Sequence, residues 1–169
     1  MVSTINSAAD PVAIESETVR VNLEAKIEKY AQNPNEVTQI LAISGSVLSL
    51  ISTSKKNIST IKKYNSDIST VEWQPDGAGF SIGLDNGLVT HNVFGQTVDE
   101  VCAIQVDGRP TRLSWKPDGK YVAISHQGKM SILDIVKCGV DSTVDYTGDV
   151  KPQWSPDGRY LVKRGTLLN

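Results

Sequence analysis

A five-residue pattern, Trp-x-Pro-Asp-Gly, occurs three times in this chain and constrains its fold more than any other feature. The copies are Trp73-Gln74-Pro75-Asp76-Gly77, Trp115-Lys116-Pro117-Asp118-Gly119 and Trp154-Ser155-Pro156-Asp157-Gly158. Their tryptophans lie 42 and 39 positions apart and are the chain's only three. Proline presets φ for the second position of a tight turn, and Asp and Gly tolerate the geometry that completes it. Each copy is therefore expected to end one strand and reverse the chain into the next.

The segments after each copy support that reading. Short alternating segments run over residues 80–84, 121–125 and 160–162, and second turns come at 85–87, 126–128 and 163–165. Asn86-Gly87 is a strong hairpin signal, because both residues accept positive φ. Third strands are predicted over 88–93 and 130–135, and a fourth over 101–106. A fainter copy precedes them, with strands over 37–43, 47–52 and 58–61, and residues 30–35 could be a degenerate version of the corner. Residues 23–30 stay open between a strand and a short helix, because Leu23, Ile27 and Tyr30 also fit one helical face.

By length alone, 169 residues suit one ordinary domain. At about 40 residues per unit the same length holds roughly four repeats. They are placed at about 22–64, 68–106, 110–147 and 150–169, the last incomplete, after a tail or leading strand over 1–20. Open repeats leave edge strands exposed. The ring is then expected to close through a strand near 11–21, through association of copies, or through further blades of a larger protein, the option favoured here.

These residues resemble the WD-repeat and related β-propeller families, whose unit is four strands at this period. Residues 68–87 are similar in style to the amino-terminal propellers of large eukaryotic scaffold subunits, such as the propeller subunit of the anaphase-promoting complex. The form at 154–160 equally resembles the bacterial periplasmic Tol-type repeat. The resemblance implies an all-β, partial propeller. It departs from the WD pattern in lacking a Trp-Asp dipeptide, Leu133-Asp134 being nearest, and in lacking a Gly-His pair. His91 and His126 are expected at or beside hairpins, so the family's structural His network is not recognisable.

Composition narrows the function. Seventeen Lys+Arg against 19 Asp+Glu give a net charge of −2, which argues against a dedicated nucleic-acid or anionic-membrane binder. No apolar run approaches the ~20 residues of a membrane span, so no membrane insertion is expected. The first 20 residues lack the apolar core of a secretory signal, which makes cytoplasmic location with reduced thiols the default. Cys102 and Cys138 are then read as small buried hydrophobes. Neither metal nor cofactor is expected: Asp76, Asp118 and Asp157 sit in equivalent turns of different units, and no zinc spacing exists.

Trp73, Trp115 and Trp154 are read as repeat-core residues rather than a stacking platform. Lys55, Lys56, Lys62 and Lys63 form one basic cluster flanking the strand at 58–61, read as a solvated rim or a partner contact. No catalytic constellation is discernible. The expected function is a non-catalytic scaffold that binds other proteins. The alternatives are a propeller enzyme or ligand binder using the central channel, and an RNA-contacting propeller using the four lysines. The innermost strands offer mostly Val, Ile, Leu, Ser and Thr, which counts against the channel reading.

Overall fold

A computed structural model describes residues 26–94, 97–146, 151–163 and 166–168. The expected tail at 1–20, the candidate closing strand near 11–21 and the turn residues 164–165 lie outside the described residues. Among the described residues there are fifteen strands and no helix. They form four antiparallel sheets in chain order, each a meander. Blade 1 holds β1 (Lys29–Gln32), β2 (Gln39–Ser44), β3 (Val47–Ser52) and β4 (Asn57–Lys63). Blade 2 holds β5 (Ile68–Trp73), β6 (Gly79–Leu84), β7 (Leu88–Phe94) and β8 (Val98–Gln105). Blade 3 holds β9 (Pro110–Trp115), β10 (Tyr121–His126), β11 (Lys129–Asp134) and β12 (Gly139–Asp145). Blade 4 holds β13 (Gln153–Trp154), β14 (Leu161–Lys163) and β15 (Thr166–Leu168). This is a partial β-propeller.

Each Trp-x-Pro-Asp-Gly copy builds the corner between the first and second strands of its blade. The glycine amide donates to the carbonyl of the residue after Trp, Gly77 to Gln74 at 2.9 Å, Gly119 to Lys116 at 2.9 Å and Gly158 to Ser155 at 2.8 Å. The three glycines sit at φ 69°, 70° and 68°, where a Cβ is strained. Each aspartate accepts the amide two residues on through Oδ1: Asp76 from Ala78, Asp118 from Lys120 and Asp157 from Arg159, at 2.9, 3.0 and 3.1 Å. These carboxylates are committed to local turns in three separate sheets.

For residues 23–30, strand wins where the chain is described. Residues 26–28 are irregular, 29–32 form β1, and 23–25 lie outside the described residues. Pairing with β2, Tyr30 opposite Ala42, decides the matter, because ladder bonds outweigh a weak helical periodicity.

The blades meet through their first strands, β1 against β5, β5 against β9, and β9 against β13. The core lies between sheets. One cluster joins Leu41, Ile43 and Leu48 of blade 1 to Phe80, Ile82 and Leu84 of blade 2, and a second joins Val89 and Ile104 of blade 2 to Leu113, Val122 and Leu133 of blade 3. A sheet with neighbours on both faces is buried throughout its middle strands, and every residue of β6 is buried. The fourth strands β4 and β12 lie mostly exposed at the outer edge. Register shifts recur where third meets fourth strand, at Leu48/Ser49, His91/Asn92 and Ile132/Leu133, and a bulge there increases twist.

Candidate functional site

The inner ends of the first strands carry a repeated fastening that the motif does not spell out. The variable residue after Trp, the x of the pattern, reaches the glycine corner of the following blade. Asn33, which stands in that place in blade 1, donates through Nδ2 to the Gly77 carbonyl at 3.1 Å. Gln74 donates through Nε2 to the Gly119 carbonyl at 3.1 Å. Lys116 lies beside Gly158, with its ammonium 4.9 Å above the Tyr121 ring and 5.7 Å from the Trp154 ring. In the opposite direction, the tryptophan indole reaches the preceding blade. Trp73 Nε1 donates to the Ala31 carbonyl at 2.8 Å, and Trp154 Nε1 donates to the Ser114 carbonyl at 3.0 Å. Trp115 Nε1 is buried and finds no acceptor among the described residues. These roles were hidden because x is a different residue type in each copy.

A cleft of about 370 Å³ opens at these ends, walled by Tyr30, Pro34, Glu72, Trp73, Pro75 and Trp115. Tyr30 is 74% exposed there, a large aromatic side chain left in solvent beside two prolines. Burial pushes the Glu72 carboxyl above its ordinary range, and Lys151 of blade 4, 3.3 Å away, partly offsets that. Lys29 of β1 donates to the Ser69 carbonyl of β5. Burial holds its amine below the ordinary value, helped by the Arg109 and Arg112 charges. The first strands thus carry Lys29, Glu72 and Arg112, which corrects the expectation of mostly Val, Ile, Leu, Ser and Thr there. A first strand needs apolar residues only on positions that face a neighbouring blade.

The four lysines lie at the two ends of one strand. Lys55 and Lys56 occupy the β3–β4 turn, while Lys62 and Lys63 end β4, a seven-residue strand about 20 Å long. Lys62 is also committed, to Glu100 of blade 2 at 3.0 Å and above the Tyr64 ring at 4.9 Å. Neighbours in sequence are separated here because a strand carries the chain across the blade.

His126 lies beside the β10–β11 hairpin, as expected, whereas His91 and the cysteines differ from expectation. His91 lies inside β7, 4% exposed, and its Nδ1–H donates to the Phe80 carbonyl at 3.1 Å while the ring meets Trp115 edge-on at 5.1 Å. Burial pushes its pKa below the ordinary value. His126 ends β10 and starts a polar chain: Nδ1–H donates to the Asp107 carbonyl at 2.6 Å, and Nε2 accepts from Ser131 at 2.8 Å. Ser131 in turn accepts from Thr143 at 2.7 Å. A His–Ser–Thr network therefore exists in blade 3, at positions outside the WD pattern. Cys102 and Cys138 are joined in a disulfide, and only Cys102 is buried, which corrects their reading as two reduced hydrophobes. Their 36-residue separation, nearly one repeat, places them on adjacent blades.

Among the described residues, no group of three His, Cys, Asp or Glu is placed to hold a metal, and no helix is long and apolar enough to cross a membrane. Sheets of this order, with cores between them and corners of this build, define a β-propeller protein. A solved structure of Kuenenia stuttgartiensis hydrazine synthase shares the fold, with a TM-score of 0.68 at 18% identity. The similarity covers 88% of this chain and 44% of that one, so the chain spans less than half of that neighbour's length. Among curated proteins, none matches. The family model for eukaryotic translation initiation factor eIF2A matches residues 16–167, and the chain belongs to that family. The propeller resemblance thus holds at the level of fold, and the family match is to an initiation factor.

Proposed function

We propose that this chain is a non-catalytic docking segment of a translation initiation factor, working in the cytoplasm, and that the inner-rim cleft is its contact surface for another protein. The observation that carries the reading is Tyr30, three-quarters exposed at the mouth of a cleft walled by tryptophan and proline. Tyrosine and tryptophan are enriched among the few residues that carry most of an interface's binding energy. The family match supports a partner within the initiation machinery. The polar groups nearby are engaged in holding blades together, which supports binding over turnover.

The test is co-sedimentation of the purified chain with initiation complexes assembled in a translation extract. Tyr30→Ala is expected to lower the bound fraction at least fivefold while circular dichroism stays unchanged, because Tyr30 contributes little to the core. Equal sedimentation of the variant would remove the cleft from the interface.

A further inference from the structure

The seam between blades 2 and 3 holds a bond that the repeat does not call for. Cys102 lies on β8, the outer strand of blade 2, and Cys138 lies in the turn between β11 and β12 of blade 3. The two sulfurs differ in access. Cys102 is 4% exposed and packs in the cluster with Ile104, Leu113 and Leu133, whereas Cys138 is exposed. The turn itself does not depend on the bond. Cys138 sits at φ 54°, and Lys56 sits at φ 51° as the last residue of the equivalent four-residue turn of blade 1. A lysine builds the same geometry without any crosslink, so the cysteine pair is an addition to a turn that already forms.

We propose that Cys102–Cys138 is a thiol–disulfide exchange site, open to a low-molecular-weight thiol such as glutathione, that reversibly fastens blade 2 to blade 3. This rests on the cytoplasmic location proposed above, since in a thiol-buffered compartment a disulfide is a reversible device more often than a permanent one. The glutathione thiolate attacks the exposed Cys138 sulfur. A glutathione–Cys138 bond forms as the Cys138–Cys102 bond breaks, and the electron pair leaves on Cys102, which takes a proton from solvent. A second glutathione thiolate attacks the glutathione sulfur of that mixed disulfide and releases the Cys138 thiolate. One protein disulfide is reduced and two glutathiones are oxidised to one glutathione disulfide. Oxidation runs the same steps backwards, with Cys102 as the resolving thiol. Burial shields Cys102 from direct attack, so both directions pass through Cys138.

The experiment equilibrates the chain in glutathione buffers from fully reduced to fully oxidised, alkylates free thiols and weighs the intact protein. One transition is expected, from two alkylated thiols to none, with a higher melting temperature on the oxidised side. Cys102→Ser should trap a glutathione adduct on Cys138 at least tenfold faster than Cys138→Ser accumulates one on Cys102. Neither variant's melting temperature should respond to the buffer. Cys102→Ala, a small apolar replacement, stands in if Cys102→Ser fails to fold. The proposal is overturned if the bond survives fully reduced glutathione, if both thiols alkylate in the oxidised buffer, or if the two variants form adducts at equal rates.

Discussion

At the corners, blade 1 is fastened to blade 2 by hydrogen bonds: Trp73 to Ala31, Asn33 to Gly77, and Asn35 Nδ2 to the Asp76 carbonyl at 2.7 Å. Their outer strands are tied by the Lys62–Glu100 ion pair. Blade 2 meets blade 3 with the indole bond missing and a covalent link in place. Trp115 finds no acceptor among the described residues, Gln74 still reaches Gly119, Arg109 pairs with Asp85 at 2.6 Å, and the disulfide crosses the outer edge. Identical motif positions thus produce two different joints. The repeat dictates where a blade turns and which side chains face the next blade. It does not dictate which of those side chains finds a partner, since the acceptor belongs to another unit.

The glycine corners should separate the joints most sharply. A Cβ on Gly77 would lie 2.3 Å from Asn33 Oδ1, in a left-handed conformation, and would expel the latch. We expect Gly77→Ala to cost about 3 kcal/mol by urea denaturation, combining backbone strain with overpacking. At Gly119 the nearest atom is the flexible end of Gln74, 3.0 Å away, so Gly119→Ala should cost less, about 1–2 kcal/mol of backbone strain. Gly139→Ala meets nothing within 4 Å and should stay within about 0.5 kcal/mol of the parent. Equal losses at Gly77 and Gly119 would show that the Asn33 latch adds nothing.

The tryptophans give the next contrast. Replacing either by Phe removes a similar volume, but only Trp73→Phe also breaks an indole hydrogen bond. Trp73→Phe should therefore be the more destabilising by about 1 kcal/mol. If Trp115→Phe proves the costlier, its indole has an acceptor in solution, and the asymmetry between the seams disappears.

The smallest effect concerns acid. His91 lies against Trp115, so its protonation acts on the seam between blades 2 and 3. Its pKa is lowered from 6.5, mainly by burial and against the pull of the Phe80 carbonyl and Asp76. The unfolded chain then binds the proton more readily, so this contribution is complete above about pH 6.5 and is lost as the pH falls through the folded value. Parent stability should drop below about pH 6.5 more steeply than that of His91→Gln, with the urea midpoint as readout. Parallel curves would take His91 out of the acid response, and Glu72 could not replace it, because its raised value makes the folded chain bind the proton more readily and favours folding as the pH falls.

Much of this architecture was legible in the residues. Trp-x-Pro-Asp-Gly marks the corner because proline, aspartate and glycine act on their own backbone, within four residues. Alternation after each corner marks the second strand for the same local reason. The candidate site was far less legible. Tyr30 and Glu72 lie in different repeats, and only their placement on adjacent first strands puts both at one cleft.

The sequence by itself determined the repeat, its corners and the all-β class, because each depends on short-range backbone preferences that recur about every 40 residues. Only the tertiary structure decided which indoles are bonded, that Cys102 and Cys138 pair, that His126 heads a polar chain, and that charged side chains stand on the first strands. Those outcomes depend on atoms brought together from separate strands, often of different blades. A repeat can be read one unit at a time, but a seam belongs to two.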